Sequence, residues 1–271
     1  MINTVVVKLG GDVLEPPFVA KVAQSLAHAC HNAADTRFVV VHGGGAQATE
    51  LSQKLGLKTQ TIAGRRVTDE ATLDVLKMVV AGQLNVGLCA VFSQHLLSPV
   101  GLHAGSGVVR AERRPARVIS GGPSTPVDLG LVGDIVGFDL PLLEALWNAQ
   151  RLPVLSCLGM SPSDFGILNC NADLVASRLA VDLGASALVA VTGVGGVRSV
   201  ASDPNSRLPW LTVAQAQQAI TTGIVKGGMI AKLEEACAAI AAGVPQVHIV
   251  GPTEVAETLA TPGTVGTLMS R

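Results

Sequence analysis

The stretch "VVVHGGGAQATE", residues 39–50, decides how this chain is to be read. A β-branched apolar run ends in three adjacent glycines, and a helical pattern starts at once. Glycine loses much backbone entropy on folding and has no side chain to bury, so three in a row need compensation. The usual compensation is a ligand that approaches bare backbone. A strand that passes through glycine into a helix amino terminus is also the unit of an open parallel sheet, where anions sit beyond the carboxyl ends of the strands.

The same rhythm recurs along the chain. "TVVVKL" precedes "FVAKVAQSLAHAC", "LPVLSC" precedes "ADLVASRLAVDLG", "ALVAVTG" precedes "VAQAQQAI", and "QVHIV" precedes "TEVAETLA". Continuous apolar strands are buried on both faces and need helical crossovers, so the class is α/β with a mainly parallel sheet. A long helical pattern from residue 69 to 97 is broken softly at "AGQ". Between residues 99 and 140 Gly, Pro and short apolar runs predict hairpins or an antiparallel excursion. "SDPNSRLPW" reads as an exposed loop. A lobe boundary is placed in the helical segment after Asp173, dividing residues 1–175 from 176–271.

With 271 residues, 48% of them hydrophobic, the chain can bury a large core. Its 19 Lys and Arg balance 20 Asp and Glu, so no net field recruits nucleic acid or an anionic membrane, and the partner is expected to be a small molecule. Five scattered cysteines with no C-x-x-C pair read as free thiols of a reducing cytoplasm. The start of the chain lacks a secretion pattern, and no run reaches the ~18 apolar residues of a membrane span. Aromatics make up 3% with no Tyr, which leaves no stacking platform for single-stranded nucleic acid.

Four glycine clusters stand at predicted element ends: Gly10-Gly11, Gly43-Gly44-Gly45, residues 193–196 and Gly227-Gly228. Together they describe an anion cradle. No Walker-type phosphate loop is present. G-x-G-x-x-A is satisfied at residues 43–48, which keeps a dinucleotide fold as a rival, but it falls in the second βα unit and leaves Lys8 unexplained. A lysine at the end of a buried strand, followed by two glycines, suits phosphate, although it could also snorkel to solvent. Asp173 in "NCNAD" and Lys232 in "KGGMIAK" lie at helix starts, where each alone also fits a cap or a solvated charge. Two lysines with a carboxylate between them would make the cationic clamp that phosphoryl transfer uses.

"KLGG" (residues 8–11), "HGGG" (42–45), "RVTD" (66–69), "DLGLVGD" (128–134), "NCNAD" (169–173), "GGMIAK" (227–232) and "GTVGTLM" near the end resemble the amino acid kinase family, in family order over essentially the whole chain. The resemblance implies a three-layer α/β/α sandwich, with the amino-terminal lobe binding an amino-acid substrate and the carboxyl-terminal lobe binding ATP. It is nearest to the members that phosphorylate the γ-carboxylate of N-acetyl-L-glutamate in arginine biosynthesis. Carried over by motif, Lys8 and Lys232 would stabilise the transferring phosphoryl group while Asp173 holds both ammonium groups. Gly10 and Gly11 would bind phosphate through backbone N–H, as Gly44 and Gly45 would bind the reacting group. Arg66 would fork onto the substrate α-carboxylate, and Asn169 would fix that carboxylate and the acetamido end. ATP would lie against Gly193, Val194, Gly195, Gly196 and Val197, and against Ile224, Val225 and Lys226. Its Mg²⁺ would be held by phosphates and water rather than by a protein metal site.

A carboxylate nucleophile needs no general base, so His42 is read as structural. Ala46 stands where the family commonly has Pro, Gly193 where it usually has Asp, and Arg65 where an apolar residue is customary. These departures keep open a kinase for a related carboxylate, such as an aminoadipate derivative, or a silent sensor of nucleotide or acyl amino acid. Residues 1–3 alone precede the first strand, too few for the extra helix that links arginine-inhibited relatives into hexamers. A homodimer insensitive to arginine is the expectation.

Overall fold

The computed structural model describes residues 3–33, 35–119 and 122–271. Its first strands are β1 (Asn3–Leu9), β2 (Thr36–His42), β3 (Thr61–Ile62), β4 (Arg65–Arg66), β5 (Pro99–Leu102), β6 (Val109–Arg113) and β7 (Gly133–Phe138). There follow β8 (Leu152–Ser156), β9 (Leu158–Met160), β10 (Ile167–Asn169), β11 (Ala187–Val191), β12 (Trp210–Thr212), β13 (Val247–Val250) and β14 (Thr267–Ser270). Eight of them form one sheet in the order β12-β14-β13-β11-β1-β2-β8-β5. Every neighbouring pair in it is parallel except β13 with β14. The α/β reading of the strand rhythm therefore holds.

Both faces of the sheet are covered, which is why its strands are apolar without alternation. On one face Val6, Val39 and Val41 pack with Leu73, Val80, Val175, Leu179 and Leu233 from the helical segments on that side. On the other, Val5, Val7 and Val40 pack with Val22, Leu26, Leu88, Phe92 and Val255. These are the two outer layers of a three-layer α/β/α sandwich. Successive side chains of a strand point to opposite faces, so Lys8 shares the face of Val6 and points toward the helix Ala172–Asp182.

Glu70–Gln94 is one continuous helix of 25 residues in which an 18-residue window has mean hydropathy 1.8, long and apolar enough to cross a membrane, contrary to the sequence-based expectation that no segment would be. Here it serves as a core helix, contributing Leu73, Leu76 and Val80 to one core and Leu88 and Phe92 to the other. Within it the segment Lys77–Leu84 winds as a π-helix, and this is where the "AGQ" irregularity falls.

The predicted excursion is a second sheet, β10-β9-β6-β7, with antiparallel β6–β7 and β9–β10 pairs. β5, which lies in the same stretch of sequence, instead extends the main sheet in parallel beside β8. The second sheet is closely packed at two glycines. A Cβ on Gly133 would lie 2.9 Å from Ala111 Cβ and 3.0 Å from Leu168 Cβ, and one on Gly159 would lie 2.8 Å from Ala111 Cβ. A methyl there has nowhere to go. Gly133→Ala and Gly159→Ala are each expected to lower the unfolding free energy by about 1–3 kcal/mol, as overpacking does. Urea titration measures this, and a neutral result would show that the β6 backbone yields freely.

Candidate functional site

Two large cavities lie at opposite ends of the strands. One of about 1040 Å³ opens at the amino ends, beside Asn3, Val5, Thr36 and Ala187. The other, about 1130 Å³, opens at the carboxyl ends and is lined by Lys8, Gly10, Gly11, Gly44, Gly45, Arg66, Asn169 and Asp173. Ligands in open parallel sheets sit at the carboxyl ends, where helix amino termini converge. The second cavity is therefore the candidate site, and it gathers eight of the residues that the motifs nominate.

Lys8 is 9% exposed and forms an ion pair with Asp173. The two ways of reading Asp173 are separated by its neighbour. Asn171 is the N-cap of the helix Ala172–Asp182 and accepts hydrogen bonds from the N–H groups of Asp173 and Leu174 at 2.7 and 3.1 Å. The cap is filled, and the Asp173 carboxylate is left for Lys8. Gly43 lies against this helix start, where a Cβ on it would meet Ala172 Cβ in ordinary contact at 3.4 Å.

The glycine run is held by a buried hydrogen-bond chain. His42 has no exposed surface, and its Nδ1 lies 2.8 Å from the Gly43 carbonyl while its Nε2 lies 2.9 Å from Asn85 Nδ2. Asn85 Nδ2 also donates to the Val154 carbonyl at 3.0 Å. Both contacts are satisfied by a neutral ring, with Nδ1–H donating to Gly43 and Nε2 accepting from Asn85. Burial pushes the His42 pKa down to about 4, against a small opposing effect of the Gly43 hydrogen bond. His42 is thus a structural residue, as read from the chemistry. Gly44 caps the helix Gly45–Lys54 at φ 154°, and a Cβ on it would sit 2.4 Å from Leu84 Cδ1 of the π-helical turn. Among the described residues the N–H groups of Gly44 and Gly45 have no acceptor, as befits a helix amino terminus.

Arg66 leans over the same helix start. Its Nη2 donates to the Gly45 carbonyl at 2.8 Å and to Thr49 Oγ1 at 2.6 Å. Its Nη1 is buried with no partner among the described residues. Half-burial lowers the pKa of this guanidinium. An unpartnered guanidinium N–H in a cleft suits a carboxylate. Asn169 donates from Nδ2 to Thr68 Oγ1 at 3.0 Å, and Leu131 N–H donates to the Thr68 carbonyl at 2.7 Å, so three separate motifs meet at one point. Asp69, last residue of "RVTD", caps the helix that follows by accepting from Thr72 N–H at 2.8 Å.

Several nominated residues stand elsewhere or act otherwise. Gly10 N–H is already donated to the Val191 carbonyl at 3.2 Å, so it cannot also bind phosphate; Gly11 keeps its N–H. Lys232 is outside the cavity lining and, among the described residues, makes no ion pair, so Asp173 holds one lysine and not two. Residues 193–197 and 224–226 do not line the cleft either. Val197 is fully buried, its N–H donated to Thr267 Oγ1 at 2.8 Å and its carbonyl accepting from Leu208. Val225 is buried too, whereas Val194 and Ile224 are exposed. Gly193 N–H donates to Asp12 Oδ2 at 2.8 Å, so a carboxylate is present beside this glycine but belongs to Asp12.

The cleft also contains residues that motif reading passed over. Arg114 is 8% exposed and pairs with Asp134 at 2.7 Å, and Arg117 pairs with the same carboxylate at 3.5 Å. Cys157 and Cys170 line the wall, with burial pushing both thiols up to about 12, which makes them inert. Glu235 also lines the cleft, and its carboxyl is pushed up to about 7 by burial and then by the Asp173 charge, with Lys8 and Lys232 opposing. The signal for Glu235 was its place three residues after Lys232, on the same helical face.

The profile of the amino acid kinase family matches residues 3–251. The chain belongs to the amino acid kinase family. An acetylglutamate kinase of Sorangium cellulosum is 49% identical to it over 97% of this chain and 93% of the relative. An acetylglutamate kinase of Anaeromyxobacter dehalogenans is 47% identical, covering 98% of this chain and 99% of the relative. Among solved structures, N-acetylglutamate synthase of Neisseria gonorrhoeae in complex with coenzyme A and N-acetyl-glutamate superposes with a TM-score of 0.80 at 24% identity, over 99% of this chain and 59% of that one, which shows a shared fold.

The buried imidazoles give the fold a pH signature. His248, like His42, is buried, and its pKa falls to about 4 from desolvation. A base whose folded pKa is depressed contributes stability that is present above its unfolded value of 6.5 and lost as pH falls through 4. Each shift corresponds to about 3 kcal/mol. Glu235, shifted the other way, offsets about one of the two protons between pH 4.5 and 6.5. Urea unfolding is therefore expected to show stability falling from pH 6.5 to 4.5 with a net uptake of about one proton. A rise over that range would mean that neither ring is buried neutral.

Proposed function

We propose that the protein transfers the γ-phosphoryl group of ATP to the γ-carboxylate of N-acetyl-L-glutamate, giving N-acetyl-L-glutamyl 5-phosphate, the second step of arginine biosynthesis. The observation that carries this is the buried, unpartnered Nη1 of Arg66 beside the free N–H groups of Gly44 and Gly45, in one cleft with the Lys8–Asp173 pair. Such a site binds a dianionic amino-acid derivative at both ends. Relatives close to half identical carry the name acetylglutamate kinase, which supports the same substrate.

The substrate α-carboxylate pairs with Arg66, and Asn169 meets the acetamido end. A γ-carboxylate oxygen attacks the γ-phosphorus while the bond to the β–γ bridging oxygen breaks, its electron pair leaving with ADP. No proton has to move, because the nucleophile is already ionised at neutral pH. The N–H groups of Gly44, Gly45 and Gly11 face the charge that spreads over the phosphoryl oxygens, and Lys8 adds an ammonium group fixed by Asp173. Lys232 is the second lysine of this reading and needs a shift of its helix toward the cleft. Mg²⁺ would neutralise the nucleotide phosphates, held by those phosphates and by water. Residues 1–175 would hold the amino-acid substrate and 176–271 the nucleotide, with Gly193, Val194, Gly195, Gly196, Ile224 and Lys226 along its edge. The five free cysteines accord with a cytoplasmic setting.

A coupled assay with ATP, Mg²⁺ and N-acetyl-L-glutamate, glutamate, aspartate or N-acetylaminoadipate tests the reading, with turnover expected only on the first. Lys8→Ala should lower kcat by about 100-fold or more. Arg66→Ala should act on KM for N-acetyl-L-glutamate, by roughly 10- to 100-fold for a lost charged hydrogen bond of ~1.5–3 kcal/mol. Equal turnover on glutamate, or an unchanged KM in Arg66→Ala, overturns the substrate assignment.

A homodimer is proposed as well. Met78 and Val86 are 53% and 66% exposed on the apolar helix Glu70–Gln94, a surface that a second copy would cover. Light scattering should give twice the chain mass of 27.6 kDa, and Val86→Glu should reduce it to one. A monomeric parent protein would show that this surface is simply solvated.

A further inference from the structure

We propose that Gln47 is a positioning residue whose side-chain amide fixes the spacing between two sets of backbone donors, Gly11 on one side and Gly44 with Gly45 on the other, that close on the phosphoryl group. The inference rests on the phosphoryl-transfer reading above and adds to it a residue which that reading does not use.

The link is made by a single amide group. Gln47 lies in the first turn of the helix Gly45–Lys54 and is half-buried. Its Nε2 donates to the Gly11 carbonyl at 2.9 Å and to Glu15 Oε1 at 2.9 Å, which uses both of its N–H bonds. These two acceptors fix the orientation of the amide, because the flipped form would set its oxygen against two other oxygens. A Cβ on Gly11 would meet Gln47 Oε1 at 3.6 Å, so the amide lies alongside this glycine. Oε1 itself is buried with no partner among the described residues. An unpaired buried acceptor costs stability, and an apolar side chain would pack here without that cost. What glutamine brings is the pair of donors.

Among the described residues these are the only hydrogen bonds between residues 10–15 and the helix Gly45–Lys54. Apart from bonds inside the 3₁₀ turn Gly11–Val13, the remaining ties of this segment lead the opposite way. Gly10 N–H donates to the Val191 carbonyl at 3.2 Å, and Asp12 Oδ2 accepts from Gly193 N–H at 2.8 Å. β11 and β2 flank β1 on opposite sides, so without Gln47 the turn is fastened on the β11 side alone.

The N–H groups of Gly11, Gly44 and Gly45 have no acceptor among the described residues. Donors that converge on one anion act together only when their spacing matches its oxygens, and the match matters most for the charge distribution of the transition state. Gly45 opens the helix that carries Gln47, and Gln47 grips the Gly11 peptide. The two donor sets are thereby joined into one body. Glu15 steadies the amide, a task that needs an acceptor and not a charge.

Steady-state kinetics with ATP, Mg²⁺ and N-acetyl-L-glutamate provide the test. Gln47→Ala should lower kcat about 10- to 100-fold while KM for both substrates stays within about twofold. Glu15→Gln retains an acceptor for the amide and should keep kcat within about twofold of the parent. The double exchange Gln47→Glu with Glu15→Gln remakes the side-chain pair in the opposite sense. Position 47 then has no proton to give to the Gly11 carbonyl, so kcat should stay as low as in Gln47→Ala. Unchanged kcat in Gln47→Ala, a loss carried by KM alone, or recovery of kcat in the double exchange overturns the proposal. Should Gln47→Ala not fold, the double exchange, which keeps size and charge, takes its place.

Carbonyl-carbon NMR of the unliganded protein supplies an arm independent of turnover. A hydrogen bond deshields the carbonyl carbon that accepts it, so the Gly11 signal should move upfield in Gln47→Ala and in the double exchange, and hold its place in Glu15→Gln. A parent protein without turnover would overturn the phosphoryl-transfer reading. A parent with turnover whose Gly11 signal ignores the loss of Gln47 would overturn this proposal alone.

Discussion

The Lys8–Asp173 ion pair is the constraint around which the cleft is arranged. β1 lies between β2 and β11 in the middle of the sheet, where an unpaired ammonium group would bear a large desolvation cost. Strand periodicity sends Lys8 to the face covered by the helix Ala172–Asp182, and that helix presents a carboxylate in its first turn. For the pair to form, the helix must start close to the end of β1. Asn171 caps the helix so that Asp173 need not. Such a pair is weak as a source of stability and strong as a positional device, because losing either partner leaves a buried charge.

A second device sets the glycine backbone. The chain from the Gly43 carbonyl through His42 and Asn85 to the Val154 carbonyl ties β2, the long helix and β8 together with a neutral ring. The π-helical segment brings Val80 and Leu84 against Gly44 so closely that no other residue fits. Backbone N–H groups aimed at a ligand are useful only if the peptide planes cannot rotate away. Here packing on one side and a buried hydrogen bond on the other prevent it.

How much of this was legible depended on whether the signal was local. The βα rhythm is local, and it predicted a parallel sheet covered on both faces. The glycine runs are local as well, and their position at strand ends located the cleft. What each glycine does was not legible, because Gly10 N–H is taken by β11 and nothing near residue 10 in sequence announces a strand 180 residues away. The same holds for Val197, whose N–H reaches Thr267. The membrane-length helix escaped notice because Gly and polar residues interrupt its apolar run while its average stays high. Glu235 was in plain view, three residues past Lys232, but two adjacent glutamates on a helix ordinarily read as solvent-facing. Only the packing of two helices shows that Glu235 is half-buried at the edge of the cleft.

The position of Lys232 follows from the same electrostatics. Two ammonium groups about 4 Å apart repel by about 4 kcal/mol at an effective dielectric constant of 20. One carboxylate between them, already paired with Lys8, offsets only part of this. Asp173 is therefore sufficient for Lys8 and insufficient for a second lysine. A phosphoryl group brings the missing negative charge, and brings most of it in the transition state, where the three equatorial oxygens share it. An arrangement completed by the reacting group, and not before it, stabilises the transition state more than the ground state, which is what acceleration requires.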